Sequence, residues 1–338
     1  MTPFSGAFLI DKPAGLTSSD VVIKLKIALT KNEYVTRGFK IGHGGTLDPF
    51  ATGVMMVLVG EATKLADTYL HSQKAYTGLI ALGYETDTGD GTGTRVDREG
   101  ANLDDQDKHV SAPSLTTTDW QALANTFTRD EYLQIPPMYS AKKQAGIALH
   151  QLARQGIEVE RKAILKKIYQ FEIENSTSSQ IPLNELSFLV TCESGTYVRV
   201  LAEDLAKKAG IRAHLKTLRR VRSSDAKIEM TLPLDAVLEA LSLKTPLNKI
   251  SAFKTLDQIA THVPTFQMDT ATFQKVREGK TQVIHELCQL AHQTIQGSDM
   301  LNVRFCLART AEGLPVAIFE KLENGTFRLQ RVLNSTYI

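Results

Sequence analysis

The chain has 338 residues, of which 42% are hydrophobic and 22% charged, and its formal net charge is +2. This composition is typical of an ordinary folded, soluble protein with room for one large domain and one small one. No apolar run approaches the roughly 20 residues that span a bilayer, and the N-terminus lacks a signal-peptide pattern, so we expect a cytoplasmic location. The three cysteines are widely spaced and form no C-x-x-C pair, which disfavours a structural disulfide or zinc site.

The N-terminal half alternates predicted strands and helices. Thr17 or Ser18 can cap the first helix, whose apolar residues recur on one face. The Pro136-Pro137 pair forces an extended backbone before a further helix that ends at Gly156. In chain order we predict strands at 7–10, 54–60 and 74–84, helices at 17–31, 61–70, 116–127 and within 135–156, and a mobile, glycine-rich hairpin loop at 85–100.

The second half is richer in strands. Most neighbouring strands look hairpin-linked, so we predict an α+β fold: a mixed, mainly antiparallel sheet with flanking helices. The character of the chain changes near residue 250, which divides it into residues 1–250 and a small β-rich module at 251–338. The predicted elements are strands at 163–174, 186–194, 213–224, 302–309, 314–321 and 326–333, and helices at 196–210 and 233–242.

Positive charge is concentrated in one part of the chain. Residues 140–225 carry 15 Lys or Arg against 9 Asp or Glu, and residues 207–222 alone carry seven basic residues. Such a basic stripe is the electrostatic pattern of a protein that binds a phosphate backbone. A solvated helix face and strand edge is the alternative interpretation of the same charges.

Residues 40–53, KIGHGGTLDPFATG, combine four glycines with His43 and Asp48 ahead of a predicted buried strand. The lysine and hydroxyl residue of a nucleotide-binding P-loop, the G-x-S-x-G of a serine hydrolase and the H-x-E with P-C-x-x-C of a zinc deaminase are all absent. Two interpretations of Asp48 remain. It either starts a turn with Pro49, the more common role of an isolated L-D-P sequence, or serves as a reactive carboxylate beside space for a bulky ligand.

The same stretch carries a resemblance to a known family. GHGGTLDPFATGVMMVLVGEATK closely resembles the signature of the TruB family of pseudouridine synthases. Five further stretches are similar to the other family motifs and follow in the family's order. They are FLIDKPAGLTSSD, KAYTGLIALGYETDTGD, IPPMYSAKKQAG, CESGTYVRVLAEDLA and HLKTLRRVRS, so that the resemblance covers residues 7–225.

The resemblance implies a reaction. It predicts a pseudouridine synthase fold over residues 1–250 and a PUA-like RNA-binding module at 251–338, which matches that module only loosely. The implied activity is isomerisation of the flipped-out uridine-55 in the T-arm loop of tRNA to pseudouridine, without cofactor or metal. Asp48 is then the essential aspartate, either as a nucleophile on the ribose C1′ or as the base that removes the C2′ proton.

The resemblance also assigns the substrate-binding residues. Tyr76 matches the catalytic tyrosine that stacks on the flipped uracil, and Arg199 the arginine that pairs with the catalytic carboxylate. Tyr197 matches a tyrosine of the uracil pocket, Leu218 a side chain that closes over the base, and His43 the histidine that touches the displaced RNA. Without the resemblance, a core tyrosine in a strand is the favoured interpretation of Tyr76, and on spacing alone Tyr197 and Leu218 are equally core residues. The alternative for Arg199 is an exposed i,i+4 pair with Glu203.

Four basic residues receive further roles. Lys12 matches a family lysine to which we assign a scaffold role, and Lys64 one that can contact phosphate. Arg219 and Arg220, in the basic stripe, are predicted to contact the RNA backbone.

Two rival functions and three departures qualify this interpretation. The segment before the motif is longer than in many bacterial members, and Phe50 and Lys142 replace common leucines, which affects fine substrate contacts. The rivals are a guide-RNA-directed synthase of the dyskerin type and a tRNA-folding chaperone without essential catalysis. The tyrosine in PMYSA and the lack of long basic tails favour a stand-alone, monomeric enzyme without an obligate protein partner.

Overall fold

The computed structural model describes residues 4–96, 115–140, 142–144, 146–174, 184–296 and 303–333. In these residues the α-helices are α1 (Ser18–Lys31), α2 (Ala66–Leu70), α3 (Thr117–Arg129), α4 (Leu149–Arg154), α5 (Val198–Lys208), α6 (Leu234–Ser242), α7 (Thr270–Arg277) and α8 (Thr281–Gln296). The strands are β1 (Gly6–Lys12), β2 (Ile41–His43), β3 (Thr52–Val59), β4 (Lys74–Leu82), β5 (Glu85–Thr86), β6 (Arg95–Val96), β7 (Tyr132–Gln134), β8 (Lys143–Gln144), β9 (Ile147–Ala148), β10 (Ile164–Lys166), β11 (Ile168–Glu174), β12 (Glu185–Cys192), β13 (Ala213–Ser223), β14 (Ala226–Lys227), β15 (Leu232–Pro233), β16 (Phe253–Thr255), β17 (Thr265–Gln267), β18 (Phe305–Arg309), β19 (Pro315–Lys321) and β20 (Phe327–Val332).

The chain packs as two compact units. The first comprises residues 1–49, 53–72 and 222–338, and the second residues 50–52 and 73–221. In the first unit β1 pairs antiparallel with β3 and β16 and parallel with β15, while β2 pairs antiparallel with β3. The turn that carries Asp48 therefore joins two neighbouring strands of this sheet, β2 and β3.

The C-terminal strands belong to the first unit as well. They form a separate sheet in the order β17-β18-β19-β20, where only the β17–β18 pair is parallel. One apolar cluster joins this sheet to the N-terminal strands, since Leu9 and Leu58 pack in the same core as Leu307 and Ile318. A second cluster lies between the C-terminal strands and the helices α7 and α8.

The second unit is built on four strands in the order β11-β12-β4-β13. β12 pairs antiparallel with β11 and with β4, and α3 packs on β11. The predicted mixed, mainly antiparallel sheet with flanking helices is thus confirmed, as is the small β-rich region at the C-terminus. The boundary near residue 250 stays a prediction, because packing into units does not show which residues act as a module.

Several element predictions need correction. Residues 61–70 begin as a 3-10 turn, Gly60–Leu65, and only Ala66–Leu70 is α-helical. Within residues 135–156 the helix is limited to Leu149–Arg154, after a tight hairpin of β8 and β9. Helices α7 and α8 were not predicted. In the part of the chain that the structure describes, no helix is both long enough and apolar enough to cross a bilayer.

Candidate active site

Hydrogen bonds to the main-chain atoms of Leu47 and Pro49 hold the turn on either side of Asp48. The Ser18 hydroxyl accepts from the Leu47 N–H at 2.9 Å and lies 3.2 Å from the Leu47 carbonyl, to which it donates. On the other side, the Pro49 carbonyl accepts from the Gly15 N–H at 2.8 Å and from Lys12 Nζ at 3.2 Å. The backbone immediately before and after Asp48 is therefore fixed, and a half-buried carboxylate stands on a rigid turn.

Lys12 acts as a structural cation in this turn. Its side chain is fully buried, and Nζ also donates to the carbonyls of Pro13 at 2.8 Å and Leu16 at 2.7 Å. A buried ammonium is tolerated where several carbonyl oxygens replace its water shell. These contacts agree with the scaffold role predicted for Lys12.

The glycines before Asp48 allow a close approach of backbone to a ring. A Cβ on Gly44 would come within 2.8 Å of Tyr69 Cβ, and Tyr69 is fully buried. The Gly45 N–H donates to His43 Nδ1 at 3.3 Å, so that nitrogen is the acceptor in this hydrogen bond. The His43 side chain is half-buried.

Tyr76 lies in β4 of the second unit and is half-buried. Its pairing with Val190, and that of Lys74 with Cys192, places these four side chains on one face of the sheet. Burial, followed by the neighbouring Arg220 guanidinium, lowers the pKa of Lys74 to about 7. Because Lys74 interacts with both Cys192 and Arg220, this face continues onto the neighbouring strand β13.

Leu218, two residues before Arg220 on β13, shares this face by strand alternation and is buried. The structure thus brings Tyr76 and Leu218, two of the residues predicted to contact the base, to one face of one unit. Arg220 is only 1% exposed. Its contact with the RNA backbone stays a prediction, and its burial makes it a poor residue on which to test that prediction.

The start of α5 carries the two remaining residues. Tyr197 is the N-cap of α5 and Arg199 lies in its first turn. Arg199 is 4% exposed, and it donates to the Thr88 carbonyl at 2.6 Å and to the Tyr139 carbonyl at 2.8 Å. Its guanidinium also stands 3.7 Å from the Asp90 carboxylate.

Arg199 therefore links the loop that contains Thr88 to the loop that contains Tyr139. Because its side chain is buried, the alternative of an exposed ion pair with Glu203 is wrong. A cavity of about 500 Å³ borders Arg199 and Glu203 in the same unit. Asp48 belongs to the first unit and Arg199 to the second. The pairing of the two side chains consequently stays a prediction.

Lys64 and Arg219 are predicted to contact the RNA backbone, and the protein contacts of their side chains do not test that prediction. Lys64 Nζ lies 2.7 Å from Glu61 and donates to the Val332 carbonyl at 2.8 Å, which ties the turn after β3 to the last strand. Arg219 is half-buried, and its Nη1 lies 3.2 Å from the Thr52 hydroxyl. Both roles stay predictions.

Sequence reasoning missed the residues that support the site. Ser18 was considered only as a helix cap, although its hydroxyl holds Leu47. The burial of Lys74 was not predicted. The carbonyl partners of Arg199 were not predicted either, because every residue has a main-chain carbonyl and the residue types therefore give no signal of such a partner. The K-x-Y pattern at Lys74 could have indicated a second residue on the Tyr76 face, since alternate residues of a strand share a face.

The fold and the site define the class of protein. The chain superposes on one chain of the archaeal box H/ACA sRNP Nop10–Cbf5 complex with a TM-score of 0.62 at 20% identity. The superposition covers 98% of this chain and 88% of the chain in that complex. The fold is that of the pseudouridine synthases. The profile described as TruB family pseudouridylate synthase (N terminal domain) matches residues 31–198.

Two relatives place the chain within that class. The tRNA pseudouridine synthase B of Aromatoleum aromaticum is 38% identical over 264 residues, 78% of this chain and 76% of the relative. The protein of the same name from Psychrobacter cryohalolentis is 42% identical over 243 residues, 71% of this chain and 61% of the relative. The chain belongs to the TruB family. It spans about three fifths of the length of the Psychrobacter relative.

Proposed function

We propose that the chain isomerises uridine to pseudouridine in the T-arm loop of tRNA, at the position called uridine-55, by flipping the base out of the RNA stack. The observation that carries this proposal is Asp48, whose two neighbours in the chain are pinned by Ser18, Lys12 and Gly15 in the motif shared with the TruB family. A carboxylate on so rigid a turn is suited to act on a sugar held at a fixed distance.

In the proposed reaction the C1′–N1 glycosidic bond breaks, the uracil rotates, and a C1′–C5 bond forms, while C5 loses a proton and N1 gains one. Asp48 serves either as the nucleophile on C1′ or as the base that takes the C2′ proton. Tyr76 stacks on the flipped base, a contact worth about 1–3 kcal/mol in comparable complexes. Arg199 keeps Asp48 ionised in the closed site, because an opposite charge offsets the desolvation of a carboxylate.

The remaining predicted residues complete the substrate contacts of this proposal. Tyr197 lines the uracil pocket, Leu218 closes over the base, and His43 meets the displaced RNA. Lys64, Arg219 and Arg220 supply backbone contacts, which release counterions and make binding salt-dependent. Some of these residues lie in the first unit and the others in the second. That they act together on one nucleotide is part of the proposal.

The test uses purified protein and an unmodified tRNA transcript. We expect pseudouridine at the T-arm position in chemical mapping, formed without guide RNA, protein partner or added cofactor. Asp48→Asn should lower the rate by at least about 10³-fold, as for other single essential groups. Asp235→Asn makes the same chemical change at an exposed carboxylate of the same unit and should have no effect.

The rival functions give other results. Product formed only when a guide RNA is added would indicate a dyskerin-type enzyme. Equal product from Asp48→Asn and wild type, or none from wild type, would contradict the catalytic assignment, and the latter together with improved tRNA folding would favour the chaperone. The proposal includes a monomer in the cytoplasm, which sedimentation of the purified chain and fractionation of cells would check.

A further inference from the structure

Gln134, at the end of β7, is a buried polar side chain with no role in the reaction as proposed. Its side chain is 1% exposed, and all its hydrogen bonds go to protein atoms. Oε1 accepts from the Tyr197 N–H at 2.8 Å, and Nε2 donates to the Tyr197 carbonyl at 3.0 Å. The second proton of Nε2 goes to the Tyr132 hydroxyl at 2.9 Å.

The side-chain amide thus pairs with both main-chain groups of one residue, as a neighbouring strand would. Tyr197 is the N-cap of α5, and its own side chain makes no capping hydrogen bond. Its carbonyl already accepts from the Leu201 N–H at 3.1 Å, the first hydrogen bond of the helix. Gln134 uses the second lone pair of that carbonyl and fixes the N-cap peptide from outside the helix.

The two hydrogen bonds between Gln134 and the Tyr197 backbone, called the clamp from here on, control the direction of two predicted site residues. Tyr197 is the clamped residue itself, and Arg199 follows within the first helical turn. The segment that carries Gln134 also supplies the Tyr139 carbonyl, which accepts from Arg199 at 2.8 Å. A shift of the N-cap would therefore move the Tyr197 ring and the Arg199 guanidinium together.

We infer that Gln134 is a positioning residue of the proposed synthase: its two hydrogen bonds to the Tyr197 backbone set the orientation of Tyr197 and Arg199 toward the substrate. This inference rests on the proposed function and adds a residue to it. It requires both an acceptor and a donor at position 134, because the two Tyr197 groups differ in polarity. That requirement distinguishes a clamp from a residue that merely fills space.

The chain offers a matched control. Gln121 on α3 makes a comparable pair of hydrogen bonds to β11, since Nε2 donates to the Phe171 carbonyl at 2.9 Å and Oε1 accepts from the Ile173 N–H at 2.8 Å. Both glutamines lie in the second unit. Gln121→Ala therefore removes two side-chain hydrogen bonds to a strand backbone, and neither of them is to α5.

The experiment measures single-turnover pseudouridine formation with enzyme in excess over a tRNA transcript, together with tRNA affinity and thermal unfolding. We expect Gln134→Ala to lower the single-turnover rate by about 10- to 100-fold, the usual effect of a small displacement of reacting groups. The tRNA affinity should change far less than the rate. Gln121→Ala should keep the wild-type rate even where its unfolding temperature falls as much.

Gln134→Glu gives the sharper readout. An ionised carboxylate accepts from the Tyr197 N–H but repels its carbonyl, whereas the protonated acid can donate to that carbonyl. The charged groups of this region include Asp204, which accepts from the Tyr132 hydroxyl at 2.8 Å, Lys207, 3.5 Å from Asp204, and Arg199, whose guanidinium donates to the Thr88 and Tyr139 carbonyls. Burial and Asp204 both favour protonation, so the rate of Gln134→Glu relative to wild type should rise as the pH falls from about 8 to about 6.

Two results would overturn the inference. One is a Gln134→Ala rate within about twofold of a wild type that forms pseudouridine. The other is a Gln134→Glu rate that stays in constant ratio to wild type across the pH range, and this criterion decides the matter if Gln134→Ala does not fold. A wild type that forms no pseudouridine fails the proposed function instead, so the two failures are told apart.

Discussion

At the residue scale, two glycines of the motif before Asp48 differ in what stands beside them. A Cβ on Gly44 would lie 2.8 Å from Tyr69 Cβ, whereas a Cβ on Gly42 would meet nothing within 4 Å. Gly44→Ala should therefore lower the free energy of unfolding by about 1–3 kcal/mol, the usual cost of overpacking a core. Gly42→Ala should be neutral or slightly stabilising, since it only restricts the unfolded chain. Urea unfolding of the two variants checks this, and equal midpoints would contradict it.

Glu203 gives a prediction for the dependence of stability on pH. Burial, opposed by Lys207 and Arg199 and reinforced by Glu85 and Asp204, raises the pKa of this carboxyl from 4.5 to about 7. The folded state then binds the proton more tightly, so the free energy of unfolding falls as the pH rises from about 4.5 through 7. Glu203→Gln should be more stable than wild type above that range by roughly 1–3 kcal/mol, and the gain should shrink as the pH falls. Parallel stability curves would contradict the assignment.

Of the two arginines predicted to contact the RNA backbone, Arg219 is the better one for a test of RNA binding, because Arg220 is buried. If Arg219 contacts a phosphate, Arg219→Gln should weaken tRNA binding and lower the slope of log affinity against log salt by about 1. Lys244→Gln, at an exposed lysine paired with Glu33 at 3.0 Å, serves as the control. Binding measured at several salt concentrations decides the question, and an unchanged slope would exclude the contact.

At the element scale, α1 and the Asp48 turn are joined by one hydroxyl. Ser18 is 3% exposed and satisfies the Leu47 N–H, which would otherwise be a buried donor without a partner. Ser18→Ala should cost about 1–3 kcal/mol in unfolding free energy and also slow pseudouridine formation, because Leu47 precedes Asp48. Ser19→Ala, at the exposed neighbour, should change neither. Full activity in a destabilised Ser18→Ala would show that the contact serves stability alone.

Elements with a clear period were predictable from the sequence, and elements shaped by local bonds were not. The Thr17 cap and the apolar face of α1 predicted Ser18–Lys31 to within a residue. The predicted helix at 61–70 begins instead as the 3-10 turn Gly60–Leu65. In this turn the Thr63 hydroxyl donates to the Gly60 carbonyl at 2.8 Å, a local hydrogen bond that competes with those of the α-helix. Gly146, with φ at 84°, turns β8 into β9 where a helix was expected.

The remaining misses have different causes. Helix α8 carries its apolar residues at helical spacing, with Val283, Leu287 and Ala291 four residues apart, so its period was present in the sequence and overlooked. The burial of Arg220 could not be predicted, because a charged residue on a strand gives no sign that another cation, Lys74, lies near it on the neighbouring strand. Family resemblance supplied the roles of Asp48 and Tyr76, and the structure supplied the atoms that hold the Asp48 turn.

At the scale of the whole molecule, the C-terminal residues of the first unit complete a core that begins at the N-terminus. The apolar cluster that contains Leu9 and Leu58 also contains Leu256, Phe305 and Ile318. The Tyr69 side chain lies against Gly44 at its Cβ, and its hydroxyl accepts from the Ala260 N–H at 2.5 Å. These described residues of the 251–338 region are therefore part of the packing that supports the Asp48 turn, whatever contacts they make with RNA.

This packing predicts the outcome of a truncation. A chain ending at residue 250 loses Leu256, Phe305 and Ile318 from the cluster and leaves Leu9 and Leu58 without their partners. Each such side chain contributes about 1.5–3 kcal/mol when buried, so the loss of these three alone is comparable to the stability of an ordinary domain. We expect the truncated chain to aggregate or to bind a hydrophobic dye, and to form no pseudouridine. A chain ending after Leu333 keeps Leu256, Phe305 and Ile318 and should unfold like the full chain. If the chain ending at residue 250 instead unfolds cooperatively at the wild-type urea midpoint, residues 251–338 are an independent module and the shared core does not support the Asp48 turn.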